Sequence, residues 1–266
     1  MPQIEIIGLI PAAGKAERIA PLPCSKELFP VGFQQPDQNR GAIPKVVSQY
    51  LLECLRLAGA AKVYIVIRKG KWDIPAYFGD GKELDMHLAY LIMGSPLGVP
   101  YTLNQAFPFI KDALVLFGFP DIIFQPEDAF IKLLDRQAET DSDIVLGLFP
   151  VNQTHRGDMV ALDDNGRIKN IEINPKSTHL NLTWINAVWT AKFSIFMNHF
   201  IQNSGQPAHP GRKLAGSKSR PELFLSEVIK AALKKNVRVE TVLFSKGIYL
   251  DIGTPENLTK AVRVGI

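Results

Sequence analysis

The stretch from Ile4 to Val31 constrains the fold more than any other part of the chain. Ile4, Ile6, Ile7, Leu9 and Ile10 make a short apolar run rich in β-branched residues, which predicts a buried strand. The run breaks into Pro11, Ala12, Ala13 and Gly14, residues with little or no side chain, and the cations Lys15, Arg18 and Lys26 follow. Small residues let backbone N–H groups approach an anion closely, and nearby cations neutralise it. At the carboxyl end of a first strand, such a loop is where an α/β protein holds phosphate groups.

The rest of the chain repeats the theme. Lys62 to Ile67, Ala113 to Phe117 and Asp143 to Phe149 are short apolar runs typical of strands buried on both faces. Between them, Lys45 to Ala58 carries apolar residues at helical spacing and is closed by Gly59, and a further helix is expected from about Pro126 to Ala138. The alternation predicts an α/β fold, a Rossmann-like and mainly parallel sheet flanked by helices. From Met159 to Trp189 the pattern shifts to short strands and turns, a small β-rich lobe, with a hairpin turn at Asp163, Asp164, Asn165 and Gly166. Two long irregular loops are expected, Gly32 to Ile43 and Asn203 to Pro221. At 266 residues the chain suits one domain spanning 1–266.

Several function classes are excluded or disfavoured. Gly14 stands alone, so there is no dinucleotide fingerprint. Gly79, Asp80, Gly81 and Lys82 lack the upstream glycine and the Ser or Thr of a P-loop, because Glu83 follows the lysine. Hydrophobic content of 46% is ordinary, and no apolar run reaches spanning length, so no membrane segment is expected. The amino terminus contains Glu5 and no basic flank, and reads as a core strand rather than a signal peptide. Cys24 and Cys54 form neither a disulfide framework nor a metal cluster and suit a cytoplasmic protein. A net charge of +4 fits small anionic substrates, and no patterning calls for nucleic acid. The five histidines show no metal-ligand spacing.

Gly14, Arg18, Pro21 with Leu22, Lys26, and Pro30 with Val31 together resemble the signature of the sugar-1-phosphate nucleotidylyltransferases, and most of all their glucose-1-phosphate thymidylyltransferase branch. Lys45 with two valines is similar to the start of that family's first long helix, and Gly94 to Pro100 resembles its nucleobase loop. Gly118 to Asp121 resembles the strand end that carries a metal-binding aspartate. Tyr249, Asp251, Gly253, Thr254 and Pro255 match its aromatic-x-Asp-x-Gly-Thr-Pro motif. The resemblance implies transfer of a nucleotidyl group from a nucleoside triphosphate, dTTP or UTP, to a sugar 1-phosphate, with release of pyrophosphate. It implies Arg18 and Lys26 as the catalytic cations, and Asp121 with Asp251 as ligands of Mg²⁺. Ala12, Ala13, Gly14, Lys15, Met93 and Gly98 fall at nucleotide-binding positions. Gly157, Asn174, Lys176, Asn186 and Tyr249 fall at sugar-phosphate positions in the β-rich lobe. The resemblance also allows a homo-oligomer.

The chain departs from the pattern mostly on the acceptor side. Ala16 and Glu17 stand where the family has Gly and Thr, and Met93 replaces a glutamine that reads the pyrimidine edge. Ile173 and Asn174 stand where the family has a glutamate on sugar hydroxyls and a lysine on the sugar phosphate, and Arg156 replaces an aromatic residue. Glu172 and Lys176 flank that pair, but alternation along a strand sends neighbours to opposite faces. An acceptor unlike glucose 1-phosphate is therefore expected. A non-catalytic paralogue that binds a sugar nucleotide is the alternative.

Overall fold

A computed structural model describes residues 4–35, 41–94, 97–151, 157–204 and 222–264. The first apolar run forms strand β1 (Ile6–Ala12). After the loop and a 3₁₀ turn at Lys26–Leu28 come β2 (Pro30–Gln34), β3 (Ile43–Val46) and helix α1 (Val47–Leu57). The chain continues through β4 (Lys62–Arg68), α2 (Asp73–Phe78), β5 (His87–Met93), α3 (Val99–Asn104), α4 (Phe107–Ile110) and β6 (Leu114–Gly118). Next are β7 (Ile122–Gln125), α5 (Ala129–Thr140), β8 (Ile144–Pro150), β9 (Met159–Leu162), β10 (Ile168–Glu172) and β11 (Leu182–Trp189). The remaining elements are α6 (Ala191–Asn203), α7 (Leu225–Leu233), β12 (Val239–Leu243), β13 (Ile248–Asp251) and α8 (Pro255–Val264).

The central sheet runs β5-β4-β1-β6-β11, and β11 then pairs with both β8 and β9. Strands β4 and β6 flank β1 in parallel, β5 is parallel to β4, and β12 is parallel to β8. Only β11 and the β9–β10 hairpin introduce antiparallel pairing into this sheet among the described residues. The expected β-rich segment is thus an extension of the main sheet, attached where Thr183 faces Met159. Its Asp163–Gly166 turn closes as expected, with Asp163 Oδ1 accepting the N–H groups of Asn165 and Arg167. The segment from 32 to 43 departs from its reading as a plain loop. Gly32, Phe33 and Gln34 pair with Lys45, Pro44 and Ile43 in an antiparallel hairpin, so α1 begins after Val46.

Both faces of the sheet are covered, which explains why its strands read as continuous apolar runs. Ile7, Leu9, Val115, Phe117 and Trp189 pack on one face with residues of α3, α6 and α7. Ile10, Ile65, Leu116 and Val188 pack on the other with α1 and α5. A third cluster, Val31, Val47, Ile123, Ile252 and Ala261, ties the hairpin and α8 to the small β7–β13 ribbon. Strand β1 lies between the two directions in which the parallel sheet grows, and the crevice beyond the carboxyl end of such a strand is the usual ligand site of an α/β sheet. No helix among the described residues is long and apolar enough to cross a membrane.

Candidate active site

Ala12 and Ala13 are buried at the end of β1, whereas Gly14 and Lys15 are exposed in the loop beyond it. Lys15 pairs with Glu17 at 3.4 Å, so the carboxylate that departs from the family pattern is engaged by its neighbour. The 3₁₀ turn at Lys26–Leu28 aims the Lys26 ammonium back toward this loop. A methyl group on Gly14 would stand 4.0 Å from Lys26 Nζ.

Two carboxylates meet these cations. Asp121 follows β6 and is almost fully buried, and its Oδ2 accepts a hydrogen bond from Lys26 Nζ at 2.5 Å. Asp251 ends β13, which pairs with β7 so that Asp251 faces Ile122. The Ile252 N–H donates to the Asp121 carbonyl at 3.0 Å, and the Gly253 N–H donates to Asp251 Oδ1 at 2.7 Å. A methyl group on Gly253 would lie 2.9 Å from Asp251 Oδ1, 3.2 Å from Arg18 Nη2 and 3.5 Å from Asp121 Oδ2. Side chains from three distant segments therefore converge on one point.

The electrostatics of that point are those of an anionic pair held by cations. Burial and the Asp121 charge push Asp251 above the usual carboxylate value, against the opposing pull of the Gly253 N–H, Lys26 and Arg18. Burial alone would lower Lys26, but Asp121, Glu27 and Asp251 outweigh it and hold the ammonium above its ordinary value. A buried and a half-buried carboxylate that repel each other suit a divalent cation. Among the described residues no cluster of three or more acidic, His or Cys side chains forms a metal cage. Two carboxylates completed by substrate phosphates are how Mg²⁺ is commonly bound, so the residues present fit that ion.

Behind Lys26 lies a set of contacts that sequence reasoning missed. Glu27 is buried and ion-paired with buried Lys71 at 2.6 and 2.7 Å. The Ser25 N–H and hydroxyl donate to Asp73 at 2.6 and 2.7 Å, and the Ser48 hydroxyl donates to the Glu27 carbonyl at 2.6 Å. Burial pushes Glu27 up and Lys71 down. The signal available in the sequence was slight: a glutamate between Lys26 and Leu28, and a lysine 44 residues further on.

The other expected site residues are placed as follows. Met93 is buried at the end of β5 and packs in the core with Val66 and Tyr101. Gly98 precedes α3 with φ +120, directly against the backbone of Leu223, and admits no side chain there. Gly157 precedes Asp158, whose Oδ1 accepts the Asn174 N–H at 3.0 Å, so Gly157 and Asn174 come together. Lys176 is exposed. Asn186 does not line an open pocket. It is fully buried between Gly118 and Gly147, and neither polar atom of its carboxamide has a hydrogen-bond partner among the described residues. Tyr249 is half-buried with its ring edge-on to Phe149, 6.2 Å between centroids, on the side of the sheet covered by α1 and α5. Arg156 and residues 205–221 lie outside the described residues. Both cysteines are free, and burial pushes Cys54 up to about 12, which makes it an inert thiol.

Fold and site together define an α/β protein with a loop of small residues, two cations and a carboxylate pair at the switch point of a mainly parallel sheet. The chain belongs to the nucleotidyl transferase family, whose sequence profile matches residues 7–264. A glucose-1-phosphate thymidylyltransferase of Neisseria gonorrhoeae is 24% identical over 257 residues, covering 96% of this chain and 80% of that protein. The low-salt glycan biosynthesis nucleotidyltransferase Agl11 of Haloferax volcanii is 23% identical over 235 residues, which is 88% of this chain. This chain spans 61% of the length of that relative. A Bacillus anthracis crystal structure described as a glucose-1-phosphate thymidylyltransferase superposes with a TM-score of 0.78 at 18% identity, covering 98% of this chain and 95% of its own. That likeness bears on the fold.

Proposed function

We propose that the protein transfers a nucleotidyl group from a nucleoside triphosphate, dTTP or UTP, to a sugar 1-phosphate or a related phosphate acceptor. The observation that carries this reading is the convergence of Arg18, Asp121 and Asp251 around Gly253, with Lys26 bound to Asp121 beside Gly14. In the reaction an acceptor phosphate oxygen attacks the α-phosphorus in line, the bond from that phosphorus to the bridging oxygen breaks, and pyrophosphate leaves with the electron pair. Such chemistry depends on positioning and charge neutralisation more than on proton transfer. Asp121 and Asp251 would hold Mg²⁺, which when bound neutralises phosphate charge. Arg18 grips the triphosphate with its planar fork, and Lys26, kept protonated by its carboxylate neighbours, stabilises charge on the transferring phosphate. The loop from Ala12 to Lys15 offers backbone N–H groups to the phosphates.

The acceptor differs from glucose 1-phosphate in this reading, because Ile173 and Asn174 supply neither a carboxylate nor a cation. A cytoplasmic location, where nucleoside triphosphates are available, belongs to the same reading. The test is pyrophosphate release from a panel of nucleoside triphosphates and sugar 1-phosphates, with Mg²⁺ and with chelator. Metal-dependent release with dTTP or UTP, poor with glucose 1-phosphate, is expected. Tight triphosphate binding with no release from any pair would favour the non-catalytic paralogue instead.

A further inference from the structure

The 3₁₀ turn that carries Lys26 has little stability of its own. It is three residues long, it has no side-chain cap, and short 3₁₀ turns make hydrogen bonds of poorer geometry than α-helices. Lys26 is nevertheless the cation that the reading above places on the transferring phosphate, and its ammonium is held by Asp121. An Asp121 carboxylate turned toward another cation would release that hold, and the aim of Lys26 would then depend on the turn itself.

What fixes the turn comes from outside it. Ser25 is bound twice by Asp73, at the start of α2, and the Glu27 carbonyl receives the Ser48 hydroxyl from α1. The third fastening is the Glu27–Lys71 ion pair, with both carboxylate oxygens engaged and both residues at most 4% exposed. Lys71 is delivered by the tight turn after β4, where Gly70 takes φ +98 and the Lys71 N–H donates to the Arg68 carbonyl. Successive residues on a 3₁₀ turn point about 120° apart, so Glu27 anchors inward while Lys26 faces the site. A buried ion pair rarely adds net stability over well-packed apolar residues of similar volume. Its contribution here is to geometry.

We propose that Glu27 and Lys71 are a positioning pair, fixing the turn from behind so that Lys26 stays aimed at the reacting phosphate. The inference rests on the nucleotidyl-transfer reading above.

The experiment compares the wild type with two double variants, Glu27→Leu/Lys71→Met and Glu27→Gln/Lys71→Gln. Either single substitution leaves one charge buried and unpaired, which is why pairs are used. Melting temperature, triphosphate affinity by calorimetry, and steady-state kcat and KM are read for each. The Leu/Met variant is expected to melt within roughly 3 °C of the wild type. Its kcat is expected to fall about tenfold or more, while KM for the triphosphate moves less than about threefold. The Gln/Gln variant, whose carboxamides can hydrogen-bond across the same gap, should recover part of that loss. A Leu/Met variant with wild-type kcat would overturn the positioning role. So would a Leu/Met variant whose kcat falls only in proportion to the folded fraction. A wild type that neither binds triphosphate nor releases pyrophosphate would overturn the functional reading, and the inference with it. A wild type that does both, beside double variants that do both equally well, would overturn the inference alone.

Discussion

Gly253→Ala is the most economical perturbation of the carboxylate site. Gly253 does not occupy the left-handed backbone region, so alanine meets no conformational penalty there. Its Cβ, however, would stand 2.9 Å from Asp251 Oδ1, where ordinary contacts begin at 3.4 Å. Either the carboxylate or the backbone must give by about half an ångström. The carboxylate is tethered by the Gly253 N–H at 2.7 Å, and the Arg18 guanidinium at 3.2 Å blocks a second direction. Asp251 or Arg18 is therefore displaced from its present position.

Misplacing a catalytic group by an ångström or less can cost ~10²-fold in rate, equivalent to about 2.7 kcal/mol of transition-state stabilisation. Stability should barely change. Weakening one hydrogen bond costs about 1 kcal/mol, and replacing glycine by alanine restricts the unfolded chain by ~0.4–1 kcal/mol in compensation. Gly41→Ala is the control, because a methyl group there meets nothing within 4 Å. The assay is pyrophosphate release at saturating substrates and over a Mg²⁺ titration, with a melting curve for each protein. We expect Gly253→Ala to lose roughly 10²-fold in turnover and to melt with the wild type, while Gly41→Ala matches the wild type in both. Wild-type turnover in Gly253→Ala would refute the placement of the reaction beside Asp251.

Two further outcomes follow from individual contacts. Arg18→Ala should weaken triphosphate binding in calorimetric titration and slow transfer, and Arg18→Lys should rescue only part because the planar fork is lost; unchanged affinity and turnover in the alanine variant would make Arg18 an ordinary surface cation. Burial alone would raise Asp73, but the hydrogen bonds from Ser25 outweigh it and hold the carboxyl below its usual value, so its stabilising effect is present above the unfolded pKa of about 3.9 and fades as pH falls through the lower folded value. Asp73→Asn should thus melt roughly 2–4 °C below the wild type at neutral pH, with the gap closing in acid; melting curves from pH 7 to about 3 that stay parallel would show that Asp73 does not act through its charge.

The parts of this molecule that are legible in its sequence are those set by local pattern. β1, β4, β6 and β8 read as strands because both faces are buried and their central positions are apolar. The candidate cations and carboxylates are legible because Arg18 and Lys26 lie in the segment between β1 and β2, Asp121 follows β6, and Asp251 precedes a Gly-Thr-Pro turn. What depends on a distant partner is not legible. Gly32 to Ile43 reads as loop and Lys45 with Val46 as the start of α1, and β3 forms there only because β2 pairs with it. The Glu27–Lys71 pair spans 44 residues, and neither residue carries a local mark of its role. Asn186 carries no local mark of its burial, and the two glycines that face it on neighbouring strands are visible only in the register.

The acceptor side shows why matching a motif residue by residue has a limit. Asn174 replaces a lysine that the family resemblance assigns to the sugar phosphate, and the substitution reads in one dimension as a lost contact. In three dimensions Asn174 sits at φ +41, in the left-handed region that asparagine tolerates far better than most residues. Its N–H is held by Asp158, which is bound in turn by the Ser226 hydroxyl at 2.5 Å, while Ser226 receives the Trp184 indole N–H at 2.8 Å. The turn after β10 is therefore braced from α7 and β11 through one half-buried carboxylate. The residue that breaks the motif is the residue this turn favours. Asn174→Lys alone would place a long cation on a strained backbone rather than restore the missing contact, and any phosphate recognition in this region has to come from side chains around the turn.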